Sequence, residues 1–146
     1  MTELAPDVLL IEDNHVDVEL SLQAFKQTMP SVRVQVIFDG VQALDFIHRT
    51  GRFAKRPPAE PKLILLDLKL PLVDGHYVLR QIASDPVAKT IPTVIMSSSR
   101  ESSDIFSTYK LGINSYVVKP VNSDAYLQMI HDVASYWLTT NQPPVP

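Results

Sequence analysis

Residues 63–75 read LILLDLKLPLVDG, and this stretch decides the class of fold. Its first four residues form an unbroken apolar run, which is typical of a short strand buried on both faces of a parallel sheet. The run ends directly at Asp67. The end of such a strand lies at the edge where open parallel sheets bind their ligands. The stretch therefore predicts a buried strand with a candidate functional residue at its carboxyl end.

The same pattern recurs on both sides of this stretch. Residues 8–11, 94–96 and 116–118 form further apolar runs, and residues 32–36 alternate apolar and polar side chains. Alternation favours a strand with one wet face, nearer the edge of the sheet. Apolar residues at helical spacing lie between the runs. They are Val18, Leu22, Phe25 and Met29; Val41, Leu44 and Ile47; Val78, Leu79 and Ile82; Ile105, Phe106 and Tyr109; and Tyr126, Ile130, Val133 and Trp137. A strand followed by a helix, five times over, predicts a doubly wound α/β domain.

Length and composition exclude several classes of protein. The chain has 146 residues, which suits one domain, and we expect a core at about 7–138 with a tail at 139–146. The absence of cysteine excludes disulfides, thiolate metal sites and cysteine nucleophiles. The four glycines lie too far apart for a glycine-rich phosphate loop. The net charge of −3 argues against a nucleic-acid partner, and no apolar run is long enough for the membrane, so we expect a soluble, cytoplasmic protein.

Polar residues follow four of the predicted strands. They are Glu12 and Asp13, Asp67, Ser97, and Lys119. Taken singly, each has an ordinary explanation as a helix-start anion, a turn residue or a solvated side chain. The carboxyl ends of parallel strands meet at one edge, however, so the three carboxylates are expected in one cleft, where their repulsion requires a cation. Lys119 supplies one positive charge and Mg²⁺ suits the remainder, and a carboxylate beside such an ion can form an acyl phosphate.

These segments together resemble the receiver domains of two-component response regulators. The resemblance covers residues from about 7 to 137 and rests on the pair at 12–13, the stretch at 67–75, the run at 92–98 and the segment at 116–120. It implies a flavodoxin-like, five-stranded parallel sheet with strand order 2-1-3-4-5. In that order the alternating second strand lies at an edge of the sheet.

The resemblance also implies which residues carry the chemistry. Asp67 would be the phosphoacceptor, and a histidine kinase would be the donor. Mg²⁺ (or Mn²⁺) would be held by Glu12, Asp13, Asp67 and the backbone carbonyl of Lys69. The chain would then be a phosphorylated switch with only self-catalysed phosphotransfer and dephosphorylation, not an enzyme in the usual sense.

A second set of residues would couple phosphorylation to a change of shape. Ser97 and Lys119 would bind the phosphoryl oxygens, and Tyr116 would turn inward when Ser97 moves. Three residues would shape the site: Pro71, Gly75 and Pro120. In the family the peptide bond before the last of these is cis, which would point Lys119 into the site.

Small departures from the family pattern fall next to the predicted site. Glu12 stands where Asp is more usual, which the family tolerates. Lys69 places a cation two residues after the phosphoacceptor, and Ser98 adds a hydroxyl near the entrance. We expect Lys69 and Ser98 to tune the lifetime of the phosphoryl group.

Two further features narrow the resemblance. The segment 48–62 is long and basic, which favours a solvated loop or, alternatively, a partner contact. The last helix carries a second apolar stripe of Leu127, Ala134 and Leu138, which favours either an interface or core packing. A long loop and this kind of tail resemble the single-domain regulators paired with phytochrome-type histidine kinases, which dimerise through the fourth and fifth helices and the last strand. The candidate dimer residues are Tyr126, Tyr136, Trp137 and Leu138.

Other functions remain open at this point. A phosphatase of the haloacid-dehalogenase type also uses an aspartyl nucleophile, Mg²⁺ and a lysine, but it needs a second acid where Lys69 stands. An inactive pseudo-receiver that serves as a binding module is the non-enzymatic alternative. Since the sequence ends shortly after Trp137, we expect no DNA-binding output domain and a signal that passes by protein contact.

Overall fold

Strands and helices alternate along the computed structural model, which describes residues 4–144. Its strands are Val8–Ile11 (β1), Val34–Ile37 (β2), Leu63–Leu66 (β3), Thr93–Ser97 (β4) and Ser115–Val118 (β5). Its helices are His15–Thr28 (α1), Gly40–His48 (α2), Gly75–Ser84 (α3), Ser102–Lys110 (α4) and Ser123–Ser135 (α5). Short 3₁₀ turns lie at Gly51–Phe53 and Ala88–Thr90, and a π-helical turn at Tyr136–Thr140 extends α5. The last two residues of the predicted tail lie outside the described range.

All strand pairs are parallel, and their order is β2-β1-β3-β4-β5. This confirms the predicted fold class and strand order. The central strands β1 and β3 are buried along their whole length, as their unbroken apolar runs require. The edge strand β2 is only partly buried, and it begins two residues later than the alternating segment suggested.

The sheet separates two apolar layers, because successive side chains of a strand point to opposite faces. Leu9 and Ile11 of β1 join a cluster with α2 and α3, whereas Val8 and Leu10 join a second cluster with α1 and α5. Within the described residues, no helix combines the length and apolar character that crossing a membrane requires. In this three-layer arrangement the helices cover both faces of the sheet, and the connecting loops lie at the amino and carboxyl ends of the strands.

The buried face of α1 differs from the predicted stripe. Val18 and Phe25 are buried as expected, but Leu22 is 38% exposed and Ser21 is fully buried in its place. The Ser21 hydroxyl donates to the Asp17 carbonyl at 2.8 Å, so the hydroxyl of Tyr126 is the donor in their 3.3 Å hydrogen bond. A pattern of apolar residues does not predict a buried serine whose hydroxyl is hydrogen-bonded on both sides.

The stripes of α2 and α4 are also partly wrong. Val41 is exposed, and Ala43 and Phe46 of α2 contribute to the core instead. Phe106 of α4 is 66% exposed, whereas Thr108 is buried and donates to carbonyls of the preceding turn. The stripe predicted for α3 is confirmed, since its residues are buried.

The second apolar stripe of α5 packs against the core. Ala134 is fully buried, and Leu127 and Leu138 pack against the same cluster from a partly buried position. Tyr126 is wrong as a dimer candidate, because its side chain is buried between α1 and α5. Of the proposed dimer residues, Tyr136 is the most exposed, and its ring meets that of Trp137 edge-on at 4.9 Å.

The basic segment between α2 and β3 is held by internal contacts, so a fully solvated loop does not describe it. Arg49 caps α2 in the left-handed conformation and pairs with Glu60 at 2.7 Å. The Arg56 guanidinium stacks on the Phe46 ring at 4.0 Å, donates to the Phe46 carbonyl and pairs with the same Glu60. Burial lowers the pKa of Arg56, although Glu60 opposes this effect. The Arg56 side chain, which is only 5% exposed, is therefore packed under the loop.

Replacing Tyr126 with Phe tests the contact between α1 and α5. The variant loses one buried hydrogen bond, so its free energy of unfolding at pH 8 should fall by about 1 kcal/mol. Burial raises the pKa of Tyr126 to about 12 from 10.0. A raised pKa favours the neutral phenol in the folded state, so its contribution is complete below pH 10 and is lost as pH rises toward 12. Urea unfolding at pH 8 and 10.5 should show a smaller alkaline loss in the variant. The exposed Tyr109→Phe is the control, and identical pH dependence in all three proteins contradicts the assignment.

Replacing Arg56 with Ala tests the loop. The variant loses the ion pair with Glu60, the hydrogen bond to the Phe46 carbonyl and the stacking contact. We expect its free energy of unfolding to fall by about 2–3 kcal/mol. The neighbouring exposed Lys55→Ala should change it by less than about 0.5 kcal/mol. Equal effects of the two substitutions in denaturant titrations contradict an internal role for Arg56.

Candidate functional site

The candidate site lies at the carboxyl edge of the sheet, where backbone hydrogen bonds continue past the ends of the strands. The Glu12 amide donates to the Ile37 carbonyl, and the Asp67 amide donates to the Ile11 carbonyl. The Lys119 amide donates to the Ser97 carbonyl at 2.8 Å. These bonds extend the hydrogen-bond ladder of the sheet by one residue at the ends of β1, β3 and β5. The predicted polar residues are thereby brought together from four parts of the chain.

Three carboxylates form the centre of the site. Glu12, Asp13 and Asp67 each offer an oxygen atom, and these atoms lie within 4.8 Å of one another. Glu12 is fully buried and Asp67 nearly so, whereas Asp13 is exposed. An all-oxygen set with one solvent-facing member fits a hard divalent cation such as Mg²⁺ or Mn²⁺. The donor chemistry of these residues therefore agrees with the predicted metal.

The ammonium of Lys119 contacts three carboxylates. Its Nζ atom lies 2.6 Å from Glu12 Oε2, 3.0 Å from Asp17 Oδ2 and 3.3 Å from Asp67 Oδ2. Sequence reasoning missed Asp17. Its place as an acidic residue in the first turn of α1, a few residues after Glu12, is the signal that points to it.

Burial and neighbouring charges shift the pKa values of the central pair. Burial and, to a smaller extent, the charge of Asp67 raise the pKa of Glu12 to about 7, although Lys119 opposes both effects. Burial alone would lower the pKa of Lys119, but the carboxylates of Asp67 and Glu12 outweigh that effect and raise it. Lys119 is therefore charged at neutral pH, while Glu12 depends on a nearby cation to stay ionised.

Of the residues predicted to shape the site, Pro120 differs from the expectation, whereas Gly75 and Pro71 make close contacts at the loop that follows Asp67. The peptide before Pro120 is trans, so the expected cis peptide is wrong, and the described residues contain no cis peptide bond. Trans is the intrinsically favoured isomer, and Lys119 reaches the carboxylates from it. Gly75 is closely packed, because a Cβ there would lie 2.5 Å from both the Asp67 carbonyl oxygen and the Leu68 Cα. The Pro71 carbonyl accepts from the Val73 amide, which closes the loop after Asp67.

An open cleft of about 570 Å³ lies beside the carboxylates. Asp13, Lys69 and Ser97 line it, together with parts of the loop after β3 and of the β4–α4 loop. Lys69 is exposed, and its amide donates to Asp67 Oδ1 at 3.3 Å. The cleft gives a phosphoryl-sized group a path to the site.

The β4–α4 loop connects Ser97 to Tyr116. The buried Ser97 hydroxyl accepts from the Ser99 amide at 3.1 Å, and the Tyr116 hydroxyl donates to the Ser99 carbonyl at 2.9 Å. The Ser99 hydroxyl also donates to Asp104 of α4 at 2.5 Å. Sequence reasoning missed Ser99, which no motif singles out, yet it joins the serine, the aromatic ring and α4.

A family model and the sequences of known proteins point to the same family. A model of the response regulator receiver domain matches residues 8–131. The probable methanogenesis regulatory protein FilR2 of Methanothrix harundinacea is 34% identical over 141 residues, which cover 95% of this chain and 88% of FilR2. Response regulator Rcp1 of Synechocystis is 34% identical over 133 residues, which cover 91% of this chain and 89% of Rcp1.

Solved structures give the same result. The phosphorylated cyanobacterial phytochrome response regulator RcpA superposes with a TM-score of 0.90 at 35% identity, over 97% of this chain and all of RcpA. The Mn²⁺-bound form of Rcp1 gives 0.89 at 33% identity, over 96% of this chain and all of Rcp1. The bacteriophytochrome response regulator RtBRR is 43% identical with a TM-score of 0.76, over 97% of this chain and 85% of RtBRR.

Proposed function

Because this chain belongs to the response regulator receiver domain family, we propose that it accepts a phosphoryl group on Asp67 from a phosphohistidine of a histidine kinase. The observation that carries the proposal is the surroundings of Asp67. One carboxylate oxygen contacts the Lys119 ammonium, the other accepts the Lys69 amide, and two further carboxylates complete an oxygen-only cation site. This set of neighbours can hold a nucleophile, a cation and a phosphoryl group together.

The transfer itself requires little from the protein beyond positioning. A carboxylate oxygen of Asp67 attacks phosphorus, the phosphorus–nitrogen bond of the donor breaks, and its electron pair stays on the imidazole. Mg²⁺ or Mn²⁺, when held by Glu12, Asp13, Asp67 and the Lys69 carbonyl, neutralises negative charge on the phosphoryl group. Lys119 pairs with the phosphoryl oxygens, which together carry more negative charge than a single carboxylate.

Ser97 and Tyr116 are the proposed switch. The Ser97 hydroxyl can turn from the Ser99 amide to a phosphoryl oxygen, and this draws the β4–α4 loop toward the site. The Tyr116 hydroxyl bonds to the Ser99 carbonyl in the present state, so movement of that loop releases it. Phosphorylation thus biases a two-state element by a local electrostatic change. Lys69 and Ser98, at the entrance, tune how long the phosphoryl group persists.

The proposed partners follow from the relatives and the exposed surface. RcpA and RtBRR are phytochrome response regulators, so we propose a phytochrome-type kinase as donor and the cytoplasm as the compartment. The exposed ring of Tyr136, with Trp137 and Leu138 beside it, is the proposed homodimer contact. We propose that the signal leaves by protein contact and not through nucleic acid or membrane.

The phosphatase alternative is not favoured. That class needs an acid two residues after the nucleophile to protonate the leaving group, and Lys69 stands there. We therefore propose a phosphoacceptor switch without turnover of an external substrate. The pseudo-receiver alternative is also not favoured. Three mutually repelling carboxylates in one place are energetically costly, and an inactive binding module gives no reason for that cost.

Replacing Asp67 with Asn tests the phosphoacceptor. An amide is a far weaker nucleophile, so transfer of ³²P from an autophosphorylated phytochrome-type kinase should fall at least about a hundredfold. Acetyl phosphate with Mg²⁺ should give the same contrast, with mass spectrometry locating the modified residue. Asp124→Asn, an exposed carboxylate on α5, should label like the wild type. Undiminished labelling of Asp67→Asn contradicts the proposal.

Replacing Tyr136 with Arg tests the dimer. A charge at a desolvated contact is costly, so the variant should shift toward monomer in sedimentation velocity, with and without phosphorylation. Tyr77→Arg on α3, where the tyrosine is similarly exposed, is the matched control and should leave the mass unchanged. A dimer that persists in Tyr136→Arg contradicts this contact.

A further inference from the structure

The geometry points to a role for Asp17 that the receiver motifs leave unassigned: it is a positioning residue that retains the Lys119 ammonium when Glu12 and Asp67 bind Mg²⁺. This inference rests on the proposed function, because it concerns the same site. Asp17 is a fourth carboxylate of the site, and it contacts Lys119 without being one of the three candidate metal ligands.

Lys119 shares two of its carboxylate partners with the candidate metal site. Its Nζ atom contacts Glu12 and Asp67, which are also members of the carboxylate trio. The remaining contact, at 3.0 Å, is with Asp17. Among the described residues, Asp17 is therefore the carboxylate that contacts Lys119 without belonging to the trio. Cation binding by the trio leaves this one contact intact.

Loss of the shared contacts without a replacement would be costly. The Lys119 side chain is only 11% exposed, so its ammonium cannot recover full hydration when Glu12 and Asp67 turn to a metal. A buried charge without a partner is strongly unfavourable. The Asp17 carboxylate keeps the ammonium paired and near the position from which it reaches Asp67. Asp17 thereby lowers the cost of cation binding at the neighbouring carboxylates.

The backbone of Asp17 is fixed by contacts on both sides. Its amide donates to the side chain of Asn14, which caps α1, and its carbonyl accepts from the Ser21 hydroxyl. Ser21 in turn accepts from the buried Tyr126 of α5. This frame aims a first-turn carboxylate across to the end of β5.

An ordinary role at the start of a helix explains less. A carboxylate in the first turn stabilises the helix dipole wherever its side chain points. That role does not require contact with a lysine 102 positions away in the sequence. The contact with Lys119 is the feature that the inference uses and the test isolates.

The first test measures Mg²⁺ affinity by isothermal titration calorimetry, without any phosphodonor. Asp17→Asn keeps the shape and removes the charge, so Mg²⁺ binding should weaken by about five- to tenfold. Asp17→Glu keeps the carboxylate and should restore affinity to within about twofold of wild type. Glu19→Gln removes one exposed charge from the same helix and should leave affinity unchanged. Equal affinity of wild type and Asp17→Asn overturns the inference.

A double-mutant cycle separates positioning of Lys119 from direct attraction between Asp17 and the cation. Lys119→Met removes the competing ammonium and should tighten Mg²⁺ binding. If Asp17 acts through Lys119, Asp17→Asn in the Lys119→Met background should weaken binding by about twofold or less. The same five- to tenfold loss in both backgrounds overturns the inference, because the effect is then a plain charge effect.

Phosphorylation of the wild type by acetyl phosphate distinguishes failure of the role of Asp17 from failure of the proposed function. Labelling at Asp67 with an unaffected Asp17→Asn affinity overturns only the role of Asp17. Absence of both Mg²⁺ binding and labelling in the wild type overturns the proposed function and this inference with it. A wild type that binds Mg²⁺ and is labelled, with the predicted cycle for Asp17, supports both.

Discussion

Mutual repulsion among carboxylates is the constraint on which the functional end of this molecule depends. A parallel sheet delivers the ends of β1 and β3 to one edge, so Glu12, Asp13 and Asp67 are forced within a few ångströms of each other. At such separations like charges repel by about 4 kcal/mol at an effective dielectric of 20. Lys119 places one ammonium against three carboxylates, and burial together with the charge of Asp67 still raises the pKa of Glu12.

The same site depends on the helical layer behind it. Tyr126 of α5 holds Ser21 of α1, and Ser21 holds the turn that presents Asp17 to Lys119. On the other side, Ser99 links the loop after β4 to the Tyr116 ring and to α4. Hydrogen bonds therefore connect the site with α1 and α5 on one side and with α4 on the other.

Two buried polar side chains depart from the apolar patterns for the same physical reason. Apolar patterns assume that a buried position carries an apolar side chain. Ser21 is buried with its hydroxyl hydrogen-bonded on both sides, and the Arg56 side chain is buried against Phe46 and Glu60, so the apolar pattern predicts neither. Leu22 and Phe106 are the opposite case, because helical spacing predicts both in a buried stripe and the structure leaves both exposed.

The sequence by itself determined the fold class, the strand order through its resemblance, and the residues that meet at the carboxyl edge. Unbroken apolar runs ending in polar residues leave few alternatives to a buried parallel sheet. Only the tertiary structure decided that Asp17 joins Lys119, that Ser99 joins Tyr116, that the peptide before Pro120 is trans, and that Tyr126 faces α1 and not a partner. These are contacts between residues distant in sequence or choices of local geometry. They depend on how helices rotate against the sheet, which no local spacing of residues specifies.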